Sequence, residues 1–81
     1  MEVTIKFFGL FRQISGCDEI SVDLAEGSSI SELMSLMSDR FADKIFKNYQ
    51  TLFMINNKNV LPETILKESD SVLLLPILSG G

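Results

Sequence analysis

The chain has 81 residues, enough for one domain, because two would each fall below the size at which a hydrophobic core supports itself without disulfides or metals. Hydrophobic residues make up 46% of it, sufficient for a compact core, and they fall in runs far shorter than the roughly 20 residues that span a bilayer. Eleven acidic against seven basic side chains give a formal charge of −4 with no Lys or Arg stripe, which argues against nucleic acid and against a membrane surface as partners.

Val3, Ile5 and Phe7 alternate with Glu2, Thr4 and Lys6, the period of a strand with one buried face, and predict a first strand over residues 2–8. A loop of about ten residues carrying Ser15-Gly16 follows, longer than a usual hairpin turn. Ile20, Val22 and Leu24 then alternate with Glu19, Ser21 and Asp23, predicting a second strand antiparallel to the first.

Glu26-Gly27 ends that strand, and Ser29-Ile30-Ser31-Glu32 reads as a capping box, the Ser29 hydroxyl and Glu32 carboxylate each taking a backbone amide of the other. Ile30, Leu33, Met34, Met37 and Phe41 recur at spacings of three and four, one apolar stripe of a helix lying on the sheet, with Glu32, Ser35, Ser38 and Asp39 facing water. Residues 43–50 read as an irregular connection whose Ile45, Phe46 and Tyr49 tuck under the helix.

Leu52 to Ile55 predicts a third strand and Asn56-Asn57-Lys58-Asn59 a turn of residues that tolerate left-handed backbone. Val60-Leu61 allows a brief return strand. Pro62 to Glu68 places Pro where a first helical turn accepts it, with Ile65 and Leu66 as buried contacts. Ser71 to Leu75, apolar almost throughout, predicts a last strand in a central position. Strand, strand, helix, strand, strand, with a right-handed crossover making the last strand parallel to the first, is an α+β β-grasp (ubiquitin-like) fold: a mixed sheet with one main helix packed on one face. The expected organisation is a domain over residues 1–75 and a flexible, extended C-terminal tail over residues 76–81.

Pro76 closes the last strand, and Ile77, Leu78, Ser79, Gly80 and Gly81 follow with no turn chemistry. Glycines without Cβ atoms make a thin backbone that can thread a narrow channel, and Ile77 and Leu78 are apolar side chains that a partner would cover. Taken alone, Ser-Gly-Gly is also what a frayed end looks like, and terminal disorder by itself favours that reading. The remaining inventory shifts the balance. There is no His and only one thiol, Cys17, so no zinc site, no His-based nucleophile and no internal disulfide can be built. Without a secretory leader pattern, the expected compartment is the reducing cytoplasm. Gly27-Ser28-Ser29 lacks the glycine spacing and Lys of a phosphate loop. The terminal carboxylate, anionic at neutral pH, is a poor electrophile until another protein activates it.

Val3 to Phe8 followed by Arg12 and Gly16, Leu24-Ala25-Glu26-Gly27, Ile30-Ser31-Glu32-Leu33, Asp70-Ser71-Val72, and Pro76 through Gly80-Gly81 together resemble the MoaD-like small subunits of molybdopterin synthase, within the MoaD/ThiS group of ubiquitin-like sulfur carriers. The sequence departs from that family's usual pattern at Gly9, Gln13, Ser69 and Ile77, and none of these touches the diglycine. The resemblance implies that Gly81 carries an acyl adenylate and then a thiocarboxylate, and that Ser79 and Gly80 let the tail pass. Pro76, Ile77, Leu78, Phe7 and Phe8 would then meet the partner. Arg12 stays open between a solvated loop charge and a contact to an acidic partner surface. The implied partners are a MoaE-like large synthase subunit, a MoeB-like adenylating enzyme that uses ATP, and a sulfur-donor system. No bound cofactor or metal is expected, and the chain is not catalytic alone. Carriers for thiamine or another sulfur-containing product, ubiquitin-like protein modifiers, and a plain β-grasp interaction module with an irrelevant tail are the competing classes.

Overall fold

The computed structural model describes residues 1–41 and 51–77. In chain order the elements are β1 (Glu2–Phe7), α1 (Leu10–Ser15), β2 (Glu19–Asp23), α2 (Ile30–Phe41), β3 (Thr51–Ile55), β4 (Lys58–Val60) and β5 (Ser71–Pro76). The strands form one five-stranded sheet in the order β2-β1-β5-β3-β4. β1 is antiparallel to β2 and parallel to β5, and β5 is antiparallel to β3. This is the expected mixed β-grasp sheet, with the last strand at its centre.

Register places every second residue on a common face. Val3, Ile5 and Phe7 of β1, Val22 of β2, Phe53 of β3 and Val72 and Leu74 of β5 are all buried, together with Ile30, Leu33, Met34 and Met37 of α2. The predicted helix stripe is therefore the other half of the core, and the Phe7 and Phe41 rings meet in a T-shaped pair with centroids 5.9 Å apart at 88°. The capping box forms as read: Ser29 N donates to Glu32 Oε1 at 3.3 Å and Glu32 N to Ser29 Oγ at 3.3 Å.

Five expectations are corrected. The loop after β1 contains α1, anchored by the fully buried Phe11 and closed by Gly16, whose φ of 75° lets its N–H reach back to the Arg12 carbonyl at 3.0 Å. Pro62 to Glu68 forms no helical turn, because its backbone serves α2 instead: Ile30 N donates to Thr64 O at 3.0 Å, Ser31 N to Pro62 O at 2.9 Å, and Leu66 N donates to Ser28 O at 2.8 Å. Those carbonyls take amides that the first turn of α2 cannot satisfy within the helix. Leu66 is buried as expected, whereas Ile65 is 54% exposed. The turn after β3 is tighter than expected, confined to Asn56 and Asn57 with φ of 54° and 64°, the two-residue hairpin whose twist matches its strands. Ser38 does not face water. It is buried, and among the described residues its hydroxyl has no hydrogen-bond partner. The connection over residues 43–50 lies outside the described residues.

Candidate functional site

Of the residues singled out from the sequence, those described, Phe7, Phe8, Arg12, Pro76 and Ile77, lie toward one end of the sheet, where β1 and β5 run side by side and finish together. Phe8 N donates to Leu74 O at 3.1 Å, extending the β1–β5 pairing one step past Phe7↔Leu74. Because neighbouring residues of a strand point to opposite sides, the two phenylalanines part there. Phe7 is 1% exposed in the core, and Phe8 is 50% exposed. Phe7 is accordingly a core residue, and the partner contact expected of it is corrected: its ring is spent on Phe41 and the core cluster.

Pro76 is the last residue of β5, half-buried and paired in register with Thr51. Ile77 follows, exposed. Leu78, Ser79, Gly80 and Gly81 lie outside the described residues, so the structure places the base of the tail and not its tip. Arg12, on α1, is exposed and ion-paired through Nε to Asp18 Oδ1 at 2.5 Å. Phe7 N in turn donates to Asp18 O at 2.9 Å, so one residue fixes both the end of β1 and the Arg12 guanidinium. A shallow depression beside this end is lined by Gly9, Arg12, Gln13, Gly16, Cys17 and Asp18. The Cys17 thiol points back along its own loop, donating to Ser15 O at 3.7 Å.

The sheet face opposite the core carries a feature that reading the strands alone did not assign. Phe8 shares it by register with Leu73 and Leu75 of β5, and these with Met54 and Leu52 of β3. Leu52 is exposed, while Met54, Leu73 and Leu75 are half-buried. The signal was present in the unbroken apolar run of β5, which is compatible with two filled faces or with one filled and one available. Polar residues edge the patch: Lys6, Asn56, Asn57 and Ser71 line a depression with Met54 and Leu73. Among the described residues there is no cluster of His, Cys, Asp and Glu that could hold a metal ion, and no helix long and apolar enough to cross a membrane. The arrangement is an apolar face with an exposed aromatic ring, Phe8, beside Pro76 and Ile77.

Comparison with known proteins agrees with this geometry. The model of the ThiS family matches residues 5–81. The molybdopterin synthase sulfur carrier subunit of Chlamydomonas reinhardtii is 27% identical over 85 residues, covering each chain completely. Among solved structures, a protein described as subunit 1 of a molybdopterin converting factor from Pyrococcus furiosus superposes with a TM-score of 0.83 at 26% identity, over 96% of this chain and 99% of that one. A chain from the complex of subunits 1 and 2 of the molybdopterin-converting factor of Helicobacter pylori gives a TM-score of 0.68 at 20% identity, with each chain covered completely, a likeness of fold.

Proposed function

The chain belongs to the ThiS family, and on that premise we propose that it is a cytoplasmic sulfur carrier acting as the small subunit of a molybdopterin synthase. The Gly81 carboxylate attacks the α-phosphorus of ATP held by a MoeB-like enzyme, releasing pyrophosphate and leaving an acyl adenylate. A sulfide-level nucleophile, hydrosulfide from a donor system, then attacks the acyl carbon and displaces AMP, forming the thiocarboxylate with loss of a proton. That sulfur attacks a pterin precursor in a MoaE-like large subunit to form a C–S bond, and water then hydrolyses the acyl–sulfur bond, leaving sulfur on the pterin and returning Gly81 to a carboxylate. Adenylation is needed because an anionic carboxylate carries no adequate leaving group.

The observation that carries this reading is the span of the family match, which runs through the fold and on to Gly80-Gly81. The geometry supports it. Pro76 and Ile77, the base of the tail, leave the sheet beside Phe8 and the Leu52, Met54, Leu73, Leu75 face. An apolar centre with an aromatic anchor and a polar rim is the anatomy of a protein docking surface. Arg12, already paired with Asp18, stands at its rim.

Mass spectrometry of untagged protein from its native host tests the chemistry. Exchange of one terminal oxygen for sulfur adds about 16 Da, and this is the expected species. A ladder of isopeptide-linked products would identify a protein modifier instead, and co-purification with a thiamine-pathway enzyme would change the product. A protein lacking Gly81 that stays folded and still delivers sulfur would refute the mechanism.

A further inference from the structure

β2 is one of the two edges of the sheet, and its hydrogen bonding leaves one side open. Leu24 N donates to Met1 O at 2.8 Å and Phe7 N to Asp18 O at 2.9 Å, and between those ends Val22 stands opposite Val3 and Ile20 opposite Ile5. Bonded pairs alternate along an antiparallel ladder, so Asp18, Ile20, Val22 and Leu24 direct their backbone groups to β1. Glu19, Ser21 and Asp23 therefore turn theirs outward. The intervening residues of β1 obey the same alternation from the other side, Thr4 N donating to Asp70 O at 2.9 Å. Glu19, Ser21 and Asp23 are exposed, and among the described residues no strand lies beyond them.

An open edge invites another chain, and sheets guard theirs with brevity, charge or proline. β4, the opposite edge, has three residues and begins with Lys58. β2 has five, without proline, and its guard is acidic. Two copies pairing antiparallel about Ser21 would set Glu19 against Asp23 twice, and like charges directly opposite are destabilising. That guard excludes a second copy and admits a basic strand. Lys6 stands opposite Glu19 and the Met1 amine answers Asp23, but Glu2 faces Asp23 across the ladder and Glu26 and Glu68 act on the same amine, so acid is in excess. On the core side of the edge, Ile20 and Leu24 are only half-buried.

We propose that β2 is a strand-addition site for an extended segment of a partner protein in which basic side chains flank an apolar alternation. Opposite residues 19–23 that segment reads basic, apolar, small polar, apolar, basic. Its basic groups meet Glu19 and Asp23, its apolar groups cover the Ile20 side of the edge, and its backbone bonds the outward groups of Glu19, Ser21 and Asp23. β1 separates this edge from β5, so the segment leaves Pro76 and Ile77 uncovered, and the inference stands whether or not the chain carries sulfur.

The probe is the end-blocked peptide Ser-Lys-Val-Thr-Val-Lys-Ser, whose palindromic order serves either strand direction, and its control carries Glu in place of both Lys. Each is titrated into the full chain and followed by amide NMR shifts and hydrogen exchange. The Lys peptide is expected to give saturable shifts along β2 and slower exchange at the Glu19, Ser21 and Asp23 amides, with Ile20 and Val22 unchanged in exchange, and the Glu peptide to bind about tenfold more weakly. Ser21→Pro removes an outward N–H that an edge strand can lose without harm to its ladder, and should abolish binding. Glu19→Gln combined with Asp23→Asn should bind the two peptides within about twofold of each other, and this variant decides the matter if Ser21→Pro does not fold. Absence of a saturable shift up to about 1 mM, equal binding of the two peptides by the natural chain, or shifts centred on Phe8, Leu73 and Leu75 would overturn the proposal. So would dilution-dependent shifts at Ser21, which would show a second copy on the edge.

Discussion

The two faces of the sheet are built from the same strands and differ in what they need. On the core face, Val3, Ile5, Phe7, Val72 and Leu74 are almost wholly removed from water and meet α2. On the outer face, β1 presents Glu2, Thr4 and Lys6, as a one-sided sheet should, until Phe8 breaks the pattern. Past Ser71, β5 and β3 break it as well, with Leu73, Leu75, Leu52 and Met54. Burial on the first face accounts for folding. Apolar residues on the second gain little from it, so folding and docking should come apart when the two faces are mutated separately.

Phe7 and Phe8 make the sharpest contrast because they are adjacent. Phe7→Ala empties a core position and loses the Phe41 contact, and should destabilise the fold by about 3–5 kcal/mol, a large part of what so small a domain has. Phe8→Ala should change stability by less than about 0.5 kcal/mol, yet weaken binding to a MoaE-like subunit by about 2 kcal/mol, the scale of an aromatic hot spot. Chemical denaturation and titration calorimetry on the two variants check both. A Phe8→Ala protein that binds as the natural chain does would remove the outer face from the docking surface, and one that unfolds would erase the distinction between faces.

A smaller effect tests how the covering helix is held. Ser29→Ala removes a cap bonded to Glu32 N, and a loss of about 1 kcal/mol is expected. The loss should not be larger, because Ile30 N and Ser31 N keep their bonds to Thr64 O and Pro62 O. A thermal unfolding shift well beyond that of a single cap would mean that the 61–66 segment lets go along with it.

What could be read without coordinates divides along the same line. β1, β2 and the start of α2 were legible because alternation, the helical stripe and the capping box agree with one another. α1 was not, since one buried anchor, Phe11, stabilises a helix too short to show a period. Pro62 to Glu68 failed for a different reason: its local pattern suits a helical turn, but its backbone pairs with residues more than thirty positions away, and tertiary pairing outweighs local preference. At the site, Phe8, Arg12 and Pro76 came from family resemblance and Ile77 also from its apolar side chain, whereas Phe7 was misassigned because resemblance does not say which way a side chain points. Gly9 was legible only as a departure from the family's usual pattern, because a lone glycine carries no mark of the φ it will adopt, here 59°.

The weakest expected effect lies at the far end of the outer face, where the Met1 α-amine donates to Asp23 Oδ1 at 3.1 Å and to Leu24 O at 2.7 Å. The bond to Asp23 is the main cause that raises this amine above its ordinary pKa, helped by the charges of Asp23, Glu68 and Glu26. A group whose pKa is raised on folding stabilises the fold fully below its unfolded value, here about pH 8, and loses that contribution as pH climbs through the folded value. Asp23 is almost fully exposed, so solvent and salt screen the pair and the contribution is small. Asp23→Asn also relieves repulsion from Glu2, its cross-strand neighbour, which leaves the absolute change at neutral pH of either sign. The pH dependence is the cleaner readout. The stability advantage of the natural chain over Asp23→Asn should shrink steadily from about pH 8 upward, and parallel curves for the two proteins across that range would show that the amine contributes through its hydrogen bond to Leu24 alone.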